Sequence, residues 1–443
     1  DHKRPEVRSD ALVYLVATHL GAAALAAMFG LWGKDAGSLN FAALQAAPPG
    51  AKVAWILFVL ALVGFGSKAG LVPFHVWLPK AHPAAPSHVS ALMSGVMIKM
   101  GVYGLMRVLL MLGTPPAGWG YTLLAMGALS AVGGVIYALA QHDLKRLLAY
   151  HSVENVGIIT MGLGAGLLAR TAGMQTLAVV ALCGSLLHVL NHGLFKSLLF
   201  FSGGAAAQAA GTRDMERLWG LLRRMPVTGA TFLVGAVAIC ALPPFNGFVS
   251  EWLIYSGLFG GALHGAGSVS AVLFVTIPVL ALVGGLALAC FAKAFGVVFL
   301  GEPRSESAIP CREVSPWMTV PMVFTALGCA GVGLAAPWVL RLVAPAARAL
   351  AGVQGSAAWS APEGTGPLVA VVLSGWVLLA LAGALLGVRT LLLRGRTVTE
   401  APTWGCGYAA GTPRMQYTAS SFAQPLLAPL ARFMRPSLRK RRP

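Results

Sequence analysis

A chain of 443 residues, 57% hydrophobic and only 10% charged, carries more apolar surface than a water-soluble core can bury, and its apolar runs of about twenty residues place it among polytopic membrane proteins. The formal charge of +18 is distributed by loop and not gathered in one patch, which argues against nucleic acid as a partner. Cys183, Cys240, Cys290, Cys311, Cys329 and Cys406 lack paired ligand spacing, and no glycine-rich nucleotide fingerprint occurs, so no metal site and no cofactor site is expected on this chain.

The predicted elements are all helices, because an amide left unpaired in lipid is costly and a helix pairs its own. The first span is 11–32. The second, 53–78, holds Lys68 about fifteen residues in, too deep for the stem to snorkel out, among Gly64, Gly66, Gly70 and Pro73, which predict a broken helix. The third, 87–112, buries Lys99. After 119–140 comes 145–168, with His151 and Glu154 one turn apart; Asp143, Lys145 and Arg146 before them read as an ordinary solvated end. The sixth span, 174–202, presents His188, His192 and Lys196 at i, i+4 and i+8, on one helix face over about 12 Å. In the seventh, 228–258, Pro243, Pro244, Asn246 and Gly247 predict a second break just before Glu251. The eighth, 268–300, carries Lys293 as an echo of Lys99, and 316–341 and 367–392 complete the set.

Desolvation disfavours an ammonium group, which makes a buried lysine a proton carrier near neutral pH, and histidine titrates in the same range. A broken helix beside a charge is a transporter device. Spans two and three match seven and eight at an odd offset, as in an inverted five-helix repeat whose first copy is incomplete. Residues 1–112 would be the C-terminal part of the first repeat, 113–302 the second, 303–393 additional spans and 394–443 a basic tail.

If the spans alternate, one face receives Lys3, Arg4, Arg8, Lys80, Lys145, Arg146, Arg213, Arg217, Arg223, Arg224, Arg304, Arg312 and the tail, and the other little beyond Lys34, Lys52, Arg170 and Arg348. That asymmetry predicts that both ends are cytoplasmic. The start, "DHKRPEVRSD", has no signal pattern and reads as a loop entering a span in mid-protein, so the sequence is expected to be truncated.

"FGSKAGLVPFHVWLPKAHPAAPSHVSALMSGVMIKMGVYGLMR", "DLKRLLAYHSVENVGI" and "LNHGLFKSLLFFSGG" resemble the antiporter-like proton-translocating subunits shared by respiratory complex I and the multisubunit cation/proton antiporters. "HSVEN", "ALPPFNGFVSEW" and "TWGCGYAAGTPRMQYTASSFAQPL" narrow the likeness to the branch found in formate hydrogenlyase and hydrogenase 4, which are membrane-bound [NiFe] hydrogenase complexes. The resemblance implies that Lys68 lies at the heart of a half-channel and that Lys99 is a relay. It makes His188, His192 and Lys196 a hydrophilic axis and Glu251 the terminal residue. It also implies a glutamate partner for Lys68 on a span preceding Asp1.

The function expected is proton translocation, as one membrane subunit of a redox-driven complex of the hydrogenase or NADH:quinone oxidoreductase kind in a bacterial-type inner membrane. Partners would be other membrane subunits, a peripheral hydrogenase or dehydrogenase arm carrying the redox cofactors, and the lipid bilayer. A stand-alone or multisubunit Na⁺(K⁺)/H⁺ antiporter subunit ranks second, and an inactive structural fragment third. No catalytic activity of the chain's own is expected.

Overall fold

The apolar runs fold as helices that pair their own backbone, as the hydrocarbon demands. The computed structural model describes residues 4–303, 305, 308–353, 366–397 and 412–430. Cys406, Lys3, Arg304 and most of the expected basic tail lie outside the described residues. Among the described residues, nine helical segments are long and apolar enough to cross a membrane; an interrupted helix pair makes a tenth crossing.

Helix α1 (Pro5–Ala36) leads through the short α2 (Phe41–Ala46) to α3 (Ala51–Ala69), which breaks and resumes as α4 (Leu78–Ala84). The third crossing is α5 (Ser87–Leu92) and α6 (Ile98–Met111), joined by a π-helical turn at Met93–Met97. Then come α7 (Ala117–Leu139), α8 (Leu144–Thr171) and α9 (Gln175–Ala210). The seventh crossing is split into α10 (Pro226–Ile239) and α11 (Asn246–His264), followed by α12 (Gly267–Phe299). Helices α13 (Pro316–Leu334), α14 (Ala336–Ala351), α15 (Gly366–Leu393) and the short α16 (Ala419–Leu427) complete the chain. Both expected breaks are present.

Helix α8 is the axis of the molecule, its apolar stretch buried from end to end. Glycines bring α7 against it: a Cβ on Gly164 would lie 2.8 Å from the Leu124 amide, and one on Gly127 2.8 Å from the Gly157 carbonyl. Small residues at such spacing are how membrane helices approach backbone to backbone.

The ninth crossing differs from the 316–341 expected. It continues to Ala351 through a bend at Ala335, where Pro337 in the first turn of α14 cannot donate to the preceding helix. Gly328 meets Leu194 at mid-length of α9, Gly333 sits on Pro244 at the second break, and Leu350 O accepts from Arg170 Nη1 at 2.8 Å at the far end of α8. The bent pair thus matches the full length of α9.

The basic loops meet on one face. Leu144 N donates to Arg213 O at 3.0 Å, Met215 N to His142 O at 2.9 Å and Gly220 N to Leu300 O at 3.2 Å.

Candidate functional site

At the first break α3 ends in Gly70, whose φ of 82° suits a residue without a side chain; its amide and that of Leu71 both return to Gly66 O. The backbone groups this releases are taken up locally: the Trp77 indole donates to Ser67 O at 2.9 Å, and Val72 N donates to Ser130 Oγ of α7 at 3.0 Å. At the second break Ala241 takes a positive φ of 51°, rare for a residue with a Cβ. A Cβ on Gly247 would strike the Ala238 carbonyl, which explains the glycine there.

From the second break a network of buried side chains runs inward. Asn191 Nδ2 donates to Asn246 O at 2.7 Å and to Ser250 Oγ at 2.9 Å. Ser250 Oγ also lies 2.9 Å from His188 Nδ1, and His188 Nε2 lies 3.1 Å from Asn155 Oδ1. Asn155 Nδ2 in turn donates to His151 O at 2.8 Å. Because the Asn155 oxygen can only accept, His188 Nε2 carries the hydrogen and Nδ1 is left to accept from the Ser250 hydroxyl. The same hydroxyl has a second acceptor, Gly247 O at 3.0 Å. Were His188 to gain a proton at Nδ1, it would donate to Ser250, whose hydrogen would turn to Gly247 O. The charge of one imidazole is thereby tied to the backbone of the break.

His151 Nδ1 is hydrogen-bonded to Glu154 Oε2, and both side chains are almost wholly buried. Lys196, also buried, donates to Leu148 O, with its ammonium 5.3 Å above the Phe200 ring. Lys99 donates to Ser94 O, a carbonyl that the π-helical turn turns outward from the helical ladder. Ser94 Oγ bonds Ser152 Oγ of α8 at 2.8 Å, tying this segment to the residue beside His151. His188, His192 and Lys196 do share the inner face of α9. Among the described residues His192 bonds through neither nitrogen, and His151 Nε2 has no partner.

Lys68 stands apart. It is half-buried and lines a crevice of about 450 Å³ between α1, α3 and α6, with Thr18, Phe65, Tyr103 and Arg107. Among the described residues no carboxylate pairs with it. Glu251 is buried one residue past Ser250 and makes no hydrogen bond among the described residues. Lys293 echoes Lys99 in sequence but not in depth. It lies near the basic end of α12, where its Nζ donates to Leu139 O at 2.6 Å and Gln141 O at 3.0 Å.

The expected solvated end of α8 is solvated only in part. Asp143 caps the helix, accepting from Arg146 N at 3.0 Å, but Lys145 is 4% exposed and donates to Ala85 O at 2.5 Å. Asn155, Asn191, Ser250, Ser94 and Ser152 were missed as site residues; their signal is polarity inside an apolar span. His82 is a further omission, fully buried and stacked on Phe200 at 4.7 Å. Among the described residues no three His, Cys, Asp or Glu side chains converge as metal ligands.

Residues 2–277 match the family model described as NADH:quinone oxidoreductase/Mrp antiporter, transmembrane. The chain is 44% identical to hydrogenase-4 component B of Escherichia coli (strain K12) over 74% of its own length and 49% of that protein. It is 40% identical to formate hydrogenlyase subunit 3 of the same organism, over 84% of its own length and 59% of the other. It thus spans about half to three-fifths of these two relatives. The fold is similar to a chain in the structure of the membrane-bound sulfane sulfur reductase, an archaeal respiratory membrane complex, with a TM-score of 0.74 at 23% identity over 97% of this chain and 69% of that one.

Proposed function

The chain belongs to the NADH:quinone oxidoreductase/Mrp antiporter transmembrane family, and from that premise we propose that it translocates protons as one membrane subunit of a redox-driven complex. The observation that carries this reading is the buried network from Glu154 and His151 through Asn155, His188, Ser250 and Asn191 to the second break, flanked by Lys196 and Lys99. The titratable side chains His151, Glu154 and His188 stand there, linked through the Asn155 amide and the His151 backbone carbonyl, in a region too apolar to tolerate charge without use.

Lys68, Lys99 and Lys196 carry protons along the apolar interior. The His151–Glu154 pair exchanges with Lys196, and His188 passes the proton toward the second break, where Glu251 is the terminal acceptor. The redox cofactors reside in partner subunits, whose chemistry biases the lysine and glutamate charges. The likeness to membrane subunits named for hydrogenase 4 and formate hydrogenlyase supports a peripheral hydrogenase or dehydrogenase arm as that partner. The basic face is the cytoplasmic one of an inner membrane. Exchange of Na⁺ or K⁺ would call for carboxylates and carbonyls converging at one break, and Glu154 is already engaged with His151.

Lys196→Met in the intact complex tests the proposal, since Met keeps most of the apolar stem. Proton pumping per redox turnover is expected to collapse with the subunit still assembled. Unchanged pumping would overturn it.

A further inference from the structure

Three features of the basic face remain unused by that path. The first is Lys293, 1% exposed and without a carboxylate partner among the described residues, whose ammonium is held by Leu139 O and Gln141 O. The second is the pair His142 and Glu216, immediately beside it: His142 follows Gln141, and its Nδ1 lies 3.7 Å from Glu216 Oε1. Both side chains reach solvent, at 44% and 28% exposure. The third is the late segment carrying α16, which lies over them. Ser420 donates to the same Glu216 oxygen through its amide at 3.0 Å and its hydroxyl at 3.1 Å.

We propose that His142 and Glu216 form a proton-collecting site on the basic face that delivers to Lys293, with the Ser420 segment holding the Glu216 carboxylate in place.

A carboxylate paired with an imidazole at a water boundary suits the task. The anion draws protons from solution, and the imidazole beside it offers a ring nitrogen that can pass them on. Burial works to raise the Glu216 pKa, but the His142 side chain and the two Ser420 donors outweigh it and hold the carboxyl below its ordinary range, so it is anionic at neutral pH. Nearby, Asp143 and Arg213 neutralise each other at 3.2 Å and Asp214 is engaged with the Glu216 amide, leaving Glu216 as the anion that faces His142. Lys293 is the next basic group inward. Two residues before it on α12, the Phe291 ring packs on the His151 imidazole with centroids 4.6 Å apart, which sets the Lys293 end of α12 against the helix that carries the His151–Glu154 pair. The transfer is of protons alone and needs no oxidant or reductant.

This inference rests on the proton-translocation reading, and the test separates the two. Glu216→Gln and His142→Asn in the intact complex, in vesicles with the basic face outward, are expected to slow pumping several-fold at alkaline pH and less at acid pH, where protons are abundant. Millimolar imidazole in the outer medium is expected to restore the rate by carrying protons to Lys293, while Lys196→Met stays unrescued. Wild-type rates in both variants across that pH range, or a loss that imidazole fails to rescue, would overturn the collecting site. Normal pumping in Lys196→Met would instead count against the translocation path itself.

Discussion

At the first break two freed backbone groups find side-chain partners, Ser67 O in Trp77 and Val72 N in Ser130, while the charge beside them, Lys68, faces a crevice without a carboxylate among the described residues. At the second break the polar groups are bonded across three helices: Asn246 and Ser250 of α11, Asn191 and His188 of α9, Asn155 of α8. The two interruptions are built alike in backbone and differently in charge. The first displays a half-buried cation at the edge of a crevice. The second holds neutral polar groups in fixed positions, where the low local dielectric makes each bond count. Replacing Lys68 at the first should therefore act on charge alone, and replacing the bonded side chains at the second on geometry as well.

The largest effect is expected at Lys68. Lys68→Ala removes the charge and Lys68→Arg keeps one that proteins do not deprotonate, so both should abolish proton pumping with the subunit still assembled. Pumping that survives in the Arg variant would reduce Lys68 to a fixed anchor and erase the contrast. Next in size is Ser250→Ala. Leaving His188 Nδ1 without its donor costs roughly 1–3 kcal/mol, so the pumping rate should fall by about tenfold, and Ser250→Thr should recover most of it. Equal rates in the Ala and Thr variants would show that the hydroxyl is a bystander.

Smaller effects should appear in stability. Gly247→Ala meets the Ala238 carbonyl, which is backbone and cannot step aside, and should destabilise by about 1–3 kcal/mol. Gly70→Ala meets the tip of Leu78, 2.6 Å away but movable, and its cost of about 1 kcal/mol comes from the left-handed φ. Thermal unfolding in detergent would read the order; the reverse would mean the first break is the more tightly built. The smallest effect concerns the Ser420 segment. With its folded pKa below the ordinary value, Glu216 stabilises the docking above that ordinary value, about 4.3, and loses it as pH falls through the lower folded one. Protection of the amides at residues 418–427, taken as exchange relative to the intrinsic rate at each pH, should fall only in that acid range; protection that ignores pH would detach the segment from Glu216.

The spans, both breaks and the positions of charge inside the spans were legible because each is written in composition: an apolar run, a Gly-Pro cluster, a charge where lipid forbids one. The partners were not. Asn155, Asn191 and Ser250 are uncharged, and whether such a group faces a neighbour or its own helix depends on how α8, α9 and α11 cross, which no single-helix period records. In sequence Lys293 is only an echo of Lys99; its place near the end of α12 puts its ammonium under the α7 terminus, which that echo does not record. The ninth span ran ten residues past its expected end because a proline near the start of a new helical turn bends a crossing as readily as it ends one.

The π-helical turn at Met93–Met97 makes the bearing of Lys99 a matter of counting. Such a turn holds one residue beyond the α-helical repeat, and each residue advances an α-helix by about 100° and 1.5 Å. Deleting a single residue from it would let the helix close into uniform winding with the segments on either side still in phase, because the wider turn had absorbed the extra residue. The Ser94 carbonyl would then return to the helical ladder and Lys99 would lose the acceptor it has here, although the composition of the segment would scarcely have changed. The third crossing thus holds the acceptor for its lysine in the winding of its backbone, where the loss of one residue removes it and most substitutions leave it in place.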